Sequence, residues 1–181
     1  MQGHDVVTAP AIAYGASGEH EGFAGTVSIG TEALERLLVE YGRSASGWAG
    51  RVVFVNGHGG NVQAARAAVD RLEYEGRSAG WVPCAPGEGE AGMPAADAHA
   101  GRIETSLLLH LAPELVRREL AEPGDTRPLR DALPELREAG VAGVSPNGVL
   151  GDPTGATAAE GASLFDAIVR AVVARIARKD A

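Results

Sequence analysis

The chain has 181 residues, the size of one domain, and its 45% apolar content with charges of both signs is typical of a globular protein. A formal net charge of −8 argues against a nucleic-acid-binding surface. The sequence contains no run of about 18 apolar residues, so no membrane span is predicted, and the N-terminus does not resemble a signal peptide. The lone Cys84 excludes an internal disulfide and fits a reducing cytoplasm.

The apolar patterns predict strands that alternate with helices along the chain. The predicted strands lie at residues 6–10, 52–55 and 78–83. Helices are predicted to begin at Thr31, after Asn61, near Gly101 and after Thr157. Residues 11–30 and 83–98 are expected to form loops. This alternation predicts an α/β fold in which helices cover both faces of a mostly parallel sheet, within a single domain of residues 1–181.

Residues 51–61 are the most informative stretch of the chain. An apolar run at residues 52–55 is followed by the turn N-G-H-G-G-N at residues 56–61 and then by a helical pattern. Ligands bind beyond the carboxyl ends of the strands in open α/β sheets, so His58 lies where chemistry is expected. The glycines keep side chains away and permit positive φ, and Asn61 is expected to cap the following helix.

Three interpretations of this turn are open on the residues alone. Backbone N–H groups at the helix N-terminus could cradle a phosphate, but the spacing matches neither G-x-G-x-x-G nor G-x-x-x-x-G-K-[ST]. His58 could instead be a metal ligand or a catalytic base that a rigid turn holds in place. A loop histidine without a role fits the same pattern.

Four other polar residues are candidates for a site. His99 and Glu104 lie five residues apart at the start of a predicted helix. A glutamate in a first helical turn is stabilised by the helix dipole, so Glu104 is either an ordinary first-turn acid or a metal ligand. Glu19 and His20 occur in the first loop, where they either contact a substrate or form a solvated pair.

Four ordered motifs between residues 14 and 161 resemble those of the creatininase family of metal-dependent amidohydrolases. They are the loop at residues 14–26, N-G-H-G-G-N at 56–61, H-A-G-R-I-E-T-S at 99–106, and G-V-L-G-D-P at 148–153 with E-G at 160–161. Within the family, the sequence is most similar to the branch that trims the mycofactocin precursor peptide. The resemblance implies a three-layer α/β/α fold of the creatininase type and a ring-like homo-oligomer.

The resemblance also implies hydrolysis of a C–N amide bond with two divalent ions per complete site, which would be zinc, iron(II) or manganese. It makes His58 and Glu104 metal ligands and His99 the catalytic residue that moves a proton near the scissile amide. Substrate contacts are expected from Glu19, His20, Asn56, Gly59, Gly60 and Asn61. The expected substrate is a short peptide that is cut near its C-terminus, and a small amide of the creatinine or formamide type is the alternative.

Two departures from the family pattern bear on this hypothesis. Creatininase itself carries an acidic residue in the signature loop where this chain has glycine, which argues against creatinine as the substrate. The family's first motif, E-x-H-G-x-H followed by T-D, does not occur in the sequence. We therefore expect the domain to be N-terminally incomplete by about 30 residues or more, roughly one β-α unit. A non-catalytic truncated protein is the third hypothesis, since no group in residues 1–30 is expected to replace the missing ligands.

Overall fold

The computed structural model describes residues 6–87 and 97–178. The strands in these ranges are β1 (Val52–Asn56) and β2 (Ala79–Pro83). The helices in these ranges are α1 (Thr31–Ala45), α2 (Val62–Tyr74), α3 (Arg102–Leu111), α4 (Leu129–Val144) and α5 (Ala158–Ala177). Short 3₁₀ turns occupy Gly18–His20, Gly59–Asn61, Pro113–Leu115 and Arg118–Leu120. The helices predicted from the apolar periodicity and the two later strands are confirmed.

The two strands pair in parallel, as the alternation of strands with helices predicts. Val52 lies opposite Ala79, and Phe54 lies opposite Trp81. Because successive residues of a strand face opposite sides of the sheet, these four share one face, while Val82 lies on the other face and is 1% exposed. Helix α2 packs against both strands and α5 packs against β2. The predicted α/β class is confirmed.

The main core lies between this sheet and the α1–α2 pair. It is built from small and aliphatic side chains, and its buried members are Ala16, Leu34, Leu38, Val39, Ala64, Ala65, Ala68, Val69, Leu72 and Ala79. Phe54 and Trp81 pack against it from the sheet. Helices α1 and α2 approach closely where Gly42 faces Leu72, since a β-carbon at Gly42 would lie 3.0 Å from Leu72 Cδ2. This packing holds β1, and therefore the turn that follows β1, in place.

The prediction of a strand at residues 6–10 is wrong. Val6 and Val7 are 56% and 73% exposed, and the segment pairs with no strand among residues 6–87 and 97–178. The β-branched residues supply strand propensity, but a strand also needs a hydrogen-bonded neighbour, which a local pattern does not encode.

Helix α4 is interrupted at a point that supports the first loop. Gly140 has a φ of +67°, which breaks the helix near its C-terminal end. A β-carbon at Gly140 would lie 2.8 Å from the backbone oxygen of Glu19, so the break lets α4 pack against the turn Gly18–His20.

The loop predicted at residues 83–98 is described only at its ends, because residues 88–96 lie outside the described ranges.

No helix within the described parts of the chain has both the length and the apolar character to cross a membrane.

Candidate active site

The side chain of Asn56 builds the turn at the end of β1. Its amide nitrogen donates to the backbone oxygen of His58 at 2.9 Å, and its amide oxygen accepts from the backbone N–H of His58 at 3.2 Å. These two hydrogen bonds hold the backbone of His58 against the end of the strand. The amide of Asn56, which was a predicted substrate contact, is therefore engaged within the turn.

Asn61 does not cap α2, so that prediction is wrong. Its backbone is helical (φ −80°, ψ −12°) rather than extended as in an N-cap, and its side chain makes no cap hydrogen bond. Instead Asn61 Oδ1 accepts from the N–H of Ala16 at 2.9 Å, and Nδ2 donates to Asn56 Oδ1 at 3.3 Å. Asn61 thus joins the first loop to the turn that carries His58.

Gly60 leaves the space in which the side chains of Glu19 and His58 come close to each other. Gly57, Gly59 and Gly60 are permitted positive φ, but none of them adopts it. A β-carbon at Gly60 would lie 2.7 Å from both Glu19 Oε1 and His58 Nε2, whereas one at Gly59 meets nothing within 4 Å. Gly60 is needed for space, because a side chain there would clash with the backbone oxygen of Ala16 as well as with Glu19 and His58.

Glu19, His20 and His58 form a cluster that could hold a metal ion. His58 Nε2 lies 3.1 Å from Glu19 Oε1, and one ligand atom from each of the three residues lies within 4.8 Å of the others. Two imidazoles and a carboxylate are donors that zinc, iron(II) and manganese accept, so the set fits a divalent ion. Residues 1–30, from which no replacement ligand was expected, therefore place two candidate donors beside His58.

His20 lies between His58 and His99. The ring centroid of His20 is 5.7 Å from that of His58 and 4.5 Å from that of His99. Burial lowers the pKa of His20, the nearby His99 and His58 lower it further, and the carboxylates of Glu19 and Glu104 oppose the shift. This environment favours the neutral imidazole, which is the form that binds metals.

His99 and Glu104 approach the cluster from the start of α3. His99 Nδ1 lies 3.6 Å from Glu104 Oε2, and the same oxygen accepts from the N–H of Ala100 at 2.6 Å. Ala100 has a φ of +51°, a left-handed conformation that is uncommon for alanine, and the backbone of His99 pairs with Leu150 in an isolated bridge. The structure therefore brings His99 and Glu104 to the same region as His58, with His20 between them.

Asp97 is a residue of this region that the sequence patterns did not single out. Its Oδ2 accepts from the N–H of Ile103 at 2.8 Å, so its carboxylate caps α3. Burial raises the pKa of Asp97, and the hydrogen bond from Ile103 opposes the shift. Gly101 leaves room for this carboxylate, since a β-carbon there would lie 2.8 Å from Asp97 Cγ. The only sign of this role in the sequence was an aspartate placed a few residues before a predicted helix.

A cavity of about 450 Å³ borders the cluster. Glu19 and Gly60 line it on the side of the site, and the segment of residues 28–31 at the start of α1 lines the other side. This volume is within the range of small-ligand pockets, so the cavity can accept part of a peptide.

The chain matches the family model Creatininase, described as creatinine amidohydrolase, over residues 1–176. Proteins named mycofactocin precursor peptide peptidase are similar to it, with 60% identity over 174 residues in Mycolicibacterium smegmatis and 61% over 170 residues in Mycobacterium ulcerans. These matches cover 96% and 94% of this chain but 68% and 65% of the two relatives. The chain therefore spans about two thirds of the length of these relatives.

Two solved structures share the fold. A mutant creatininase aligns with a TM-score of 0.63 at 24% identity, over 85% of this chain and 66% of that one. A candidate creatinine amidohydrolase from Bacteroides fragilis aligns with a TM-score of 0.70 at 21% identity, over 92% of this chain and 69% of that one. The family model that matches residues 1–176 and the relatives at 60–61% identity show that the chain belongs to the creatininase family.

Proposed function

We propose that this chain is a metal-dependent peptidase that trims the C-terminal end of the mycofactocin precursor peptide. The observation that carries the proposal is its 60–61% identity, over 94–96% of the chain, to proteins named mycofactocin precursor peptide peptidase. The same similarity favours a short peptide over a small amide as the substrate. We further propose a cytoplasmic homo-oligomer, on the family resemblance and on the single Cys84, which is a free thiol.

The donor atoms of the site support metal binding. We propose Glu19, His20 and His58 as ligands, since they are close together and the pKa of His20 is lowered, with Glu104 joining from α3. Zinc, iron(II) and manganese all suit this mixture of imidazole and carboxylate. When bound, such an ion polarises the scissile carbonyl and makes an attacking water more acidic.

His99 is the proposed proton carrier. Its Nδ1 lies 3.6 Å from the carboxylate of Glu104, which orients the ring, and the ring accepts a proton from the attacking water. The ring then returns the proton to the nitrogen that leaves the scissile bond. The substrate peptide is proposed to lie in the cavity that Glu19 and Gly60 line.

The test is cleavage of a synthetic precursor peptide, followed by mass spectrometry of the fragments. With added zinc, iron(II) or manganese, we expect a single cut near the C-terminus that a chelator abolishes. His99→Asn should lower kcat by about 10²–10⁴-fold, the usual contribution of a general acid–base group. His110→Asn is the matched control, because His110 packs against Phe165 outside the cluster.

Two outcomes contradict the proposal. One is the absence of any peptide fragment with all three metals, under conditions in which a longer relative cleaves the same peptide. The other is faster hydrolysis of creatinine or of a formamide than of the peptide, which would favour a small-molecule amidohydrolase.

A further inference from the structure

A network of side chains ties the first turn of α3 to the first turn of α5. Glu160 accepts from Arg102 Nε at 2.9 Å with each of its two carboxylate oxygens, and its Oε2 also accepts from Ser106 Oγ at 2.9 Å. The Ser106 hydroxyl is buried and accepts from the N–H of Thr157 at 3.1 Å. Thr157 in turn caps α5 by accepting from the N–H of Glu160 at 3.1 Å. We call these four residues the α3–α5 latch.

The two helices also make backbone contact beside the latch. A β-carbon at Gly161 would lie 2.5 Å from the carbonyl carbon of Ser106 and 3.0 Å from His110 Cβ. No side chain therefore separates α5 from α3 at this point. Close packing of this kind limits how far α3 can slide or rotate, so the packing and the latch together set the position of its first turn.

The same turn of α3 carries one site residue and follows closely after another. Glu104 lies between Arg102 and Ser106 in sequence, and His99 precedes the helix by three residues. His20 and His58 come from other segments, so their distances to His99 depend on where the first turn of α3 lies. The left-handed Ala100, held by Glu104, lies in the short connection between His99 and the helix and is sensitive to such a displacement.

We propose that Glu160 is a positioning residue for the active site. By holding Arg102 and Ser106, it places Glu104 and His99 against His20 without itself contacting the substrate. The inference rests on the proposed function for its activity readout, whereas the placement of α3 can be measured without any activity.

The test compares Glu160→Gln with the control Glu75→Gln. Glutamine has nearly the same shape but loses the charge and one of the two acceptor oxygens. Glu75 also binds arginines, but it joins the ends of α1 and α2, away from the latch. Both variants are expected to lower the thermal midpoint of the chain, because each loses an ion-pair network.

Only Glu160→Gln is expected to alter the site. In metal-free protein it should shift the ¹H–¹⁵N resonance of the Ala100 amide, which Glu104 holds. It should also weaken Co²⁺ binding about tenfold, measured by absorbance titration. It should lower kcat about tenfold and change KM less, as expected for misplaced groups. Ser106→Ala, which removes one tether and keeps the pair of Arg102 with Glu160, should give smaller changes in the same direction.

The inference is overturned if Glu160→Gln lowers the thermal midpoint but leaves the Ala100 resonance, the Co²⁺ affinity and kcat unchanged. Glu160 would then be a stabilising contact without a role in the site. If Glu160→Gln does not fold, Ser106→Ala decides between the two outcomes by the same readouts. If the wild-type chain cleaves no peptide, the proposed function fails while the Ala100 resonance still decides whether Glu160 positions α3.

Discussion

Gly60 is the residue on which the approach of Glu19 to His58 depends most directly. In Gly60→Ala, the new methyl group would lie 2.7 Å from Glu19 Oε1 and from His58 Nε2. We expect a loss of about 1–3 kcal/mol in the free energy of unfolding, the usual cost of overpacking, together with weaker zinc binding. Gly59→Ala is the control, and it should change stability by no more than about 0.5 kcal/mol because its β-carbon meets open space. Urea denaturation and zinc titration measure both effects, and equal losses in the two variants would contradict the argument.

His20 is expected to make the stability of the metal-free chain depend on pH. Its pKa in the folded chain is lowered from 6.5, first by burial and then by His99, so the unfolded chain takes up a proton at higher pH than the folded one. The stabilising contribution is therefore complete above about pH 6.5 and is lost as the pH falls through the folded pKa.

The measurement is the urea midpoint between pH 5 and 8 in the presence of a chelator. His20→Asn should flatten the loss of stability on the acidic side of pH 6.5. A wild-type midpoint that rises as the pH is lowered from 6.5 to 5 would show that the pKa shift has the opposite sign.

At the scale of elements, Glu75 joins the C-terminal ends of α1 and α2, because it accepts hydrogen bonds from an arginine of each helix. Hydrogen bonds from Arg43, and then from Arg71, lower the pKa of Glu75 from 4.5 to about 2. A carboxylate with a lowered folded pKa adds stability above its unfolded pKa and loses it as the pH falls towards the folded value. Wild-type protein should therefore lose stability between pH 4.5 and 2 more steeply than Glu75→Gln. Urea denaturation from pH 2 to 6 tests this, and parallel curves for the two proteins would refute it.

The helices of this chain could be predicted more fully than the strands. Residues such as Leu34, Leu38 and Leu72 recur with the helical period, and the pattern is complete within one segment. The strand predicted at residues 6–10 has suitable residues but no partner among the described parts of the chain. A helix satisfies its hydrogen bonds within itself, whereas a strand depends on a second segment that local sequence does not specify.

At the scale of the whole molecule, the site joins three segments that are distant in sequence. Glu19 and His20 come from the first loop, His58 from the turn after β1, and His99 with Glu104 from the turn into α3. A paired site holds two ions about 3.5–4 Å apart, which needs more ligands than the cluster of three within the described residues. We therefore expect the cluster of Glu19, His20 and His58 to bind one ion tightly.

Zinc titration and metal analysis of the purified chain measure this stoichiometry. Zinc at about 100 times its Kd should stabilise the wild-type chain by about 2.7 kcal/mol, and His58→Ala should remove most of that gain. Two tightly bound ions per chain would contradict the prediction. The arrangement of residues 1–181 as one domain stays a prediction.

By itself, the sequence determined the strands β1 and β2 with the helices that follow them, the family motifs, and the identity of His58, His99 and Glu104 as candidate groups. These features are local, because periodicity and spacing are complete within one segment. Only the tertiary structure decided that Glu19 and His20 join His58 and that Glu160 ties two helices together. The hydrogen bond from Ala16 to Asn61, for example, crosses 45 residues. Contacts of this kind follow from how the core packs the segments together, and no window of the sequence contains both partners.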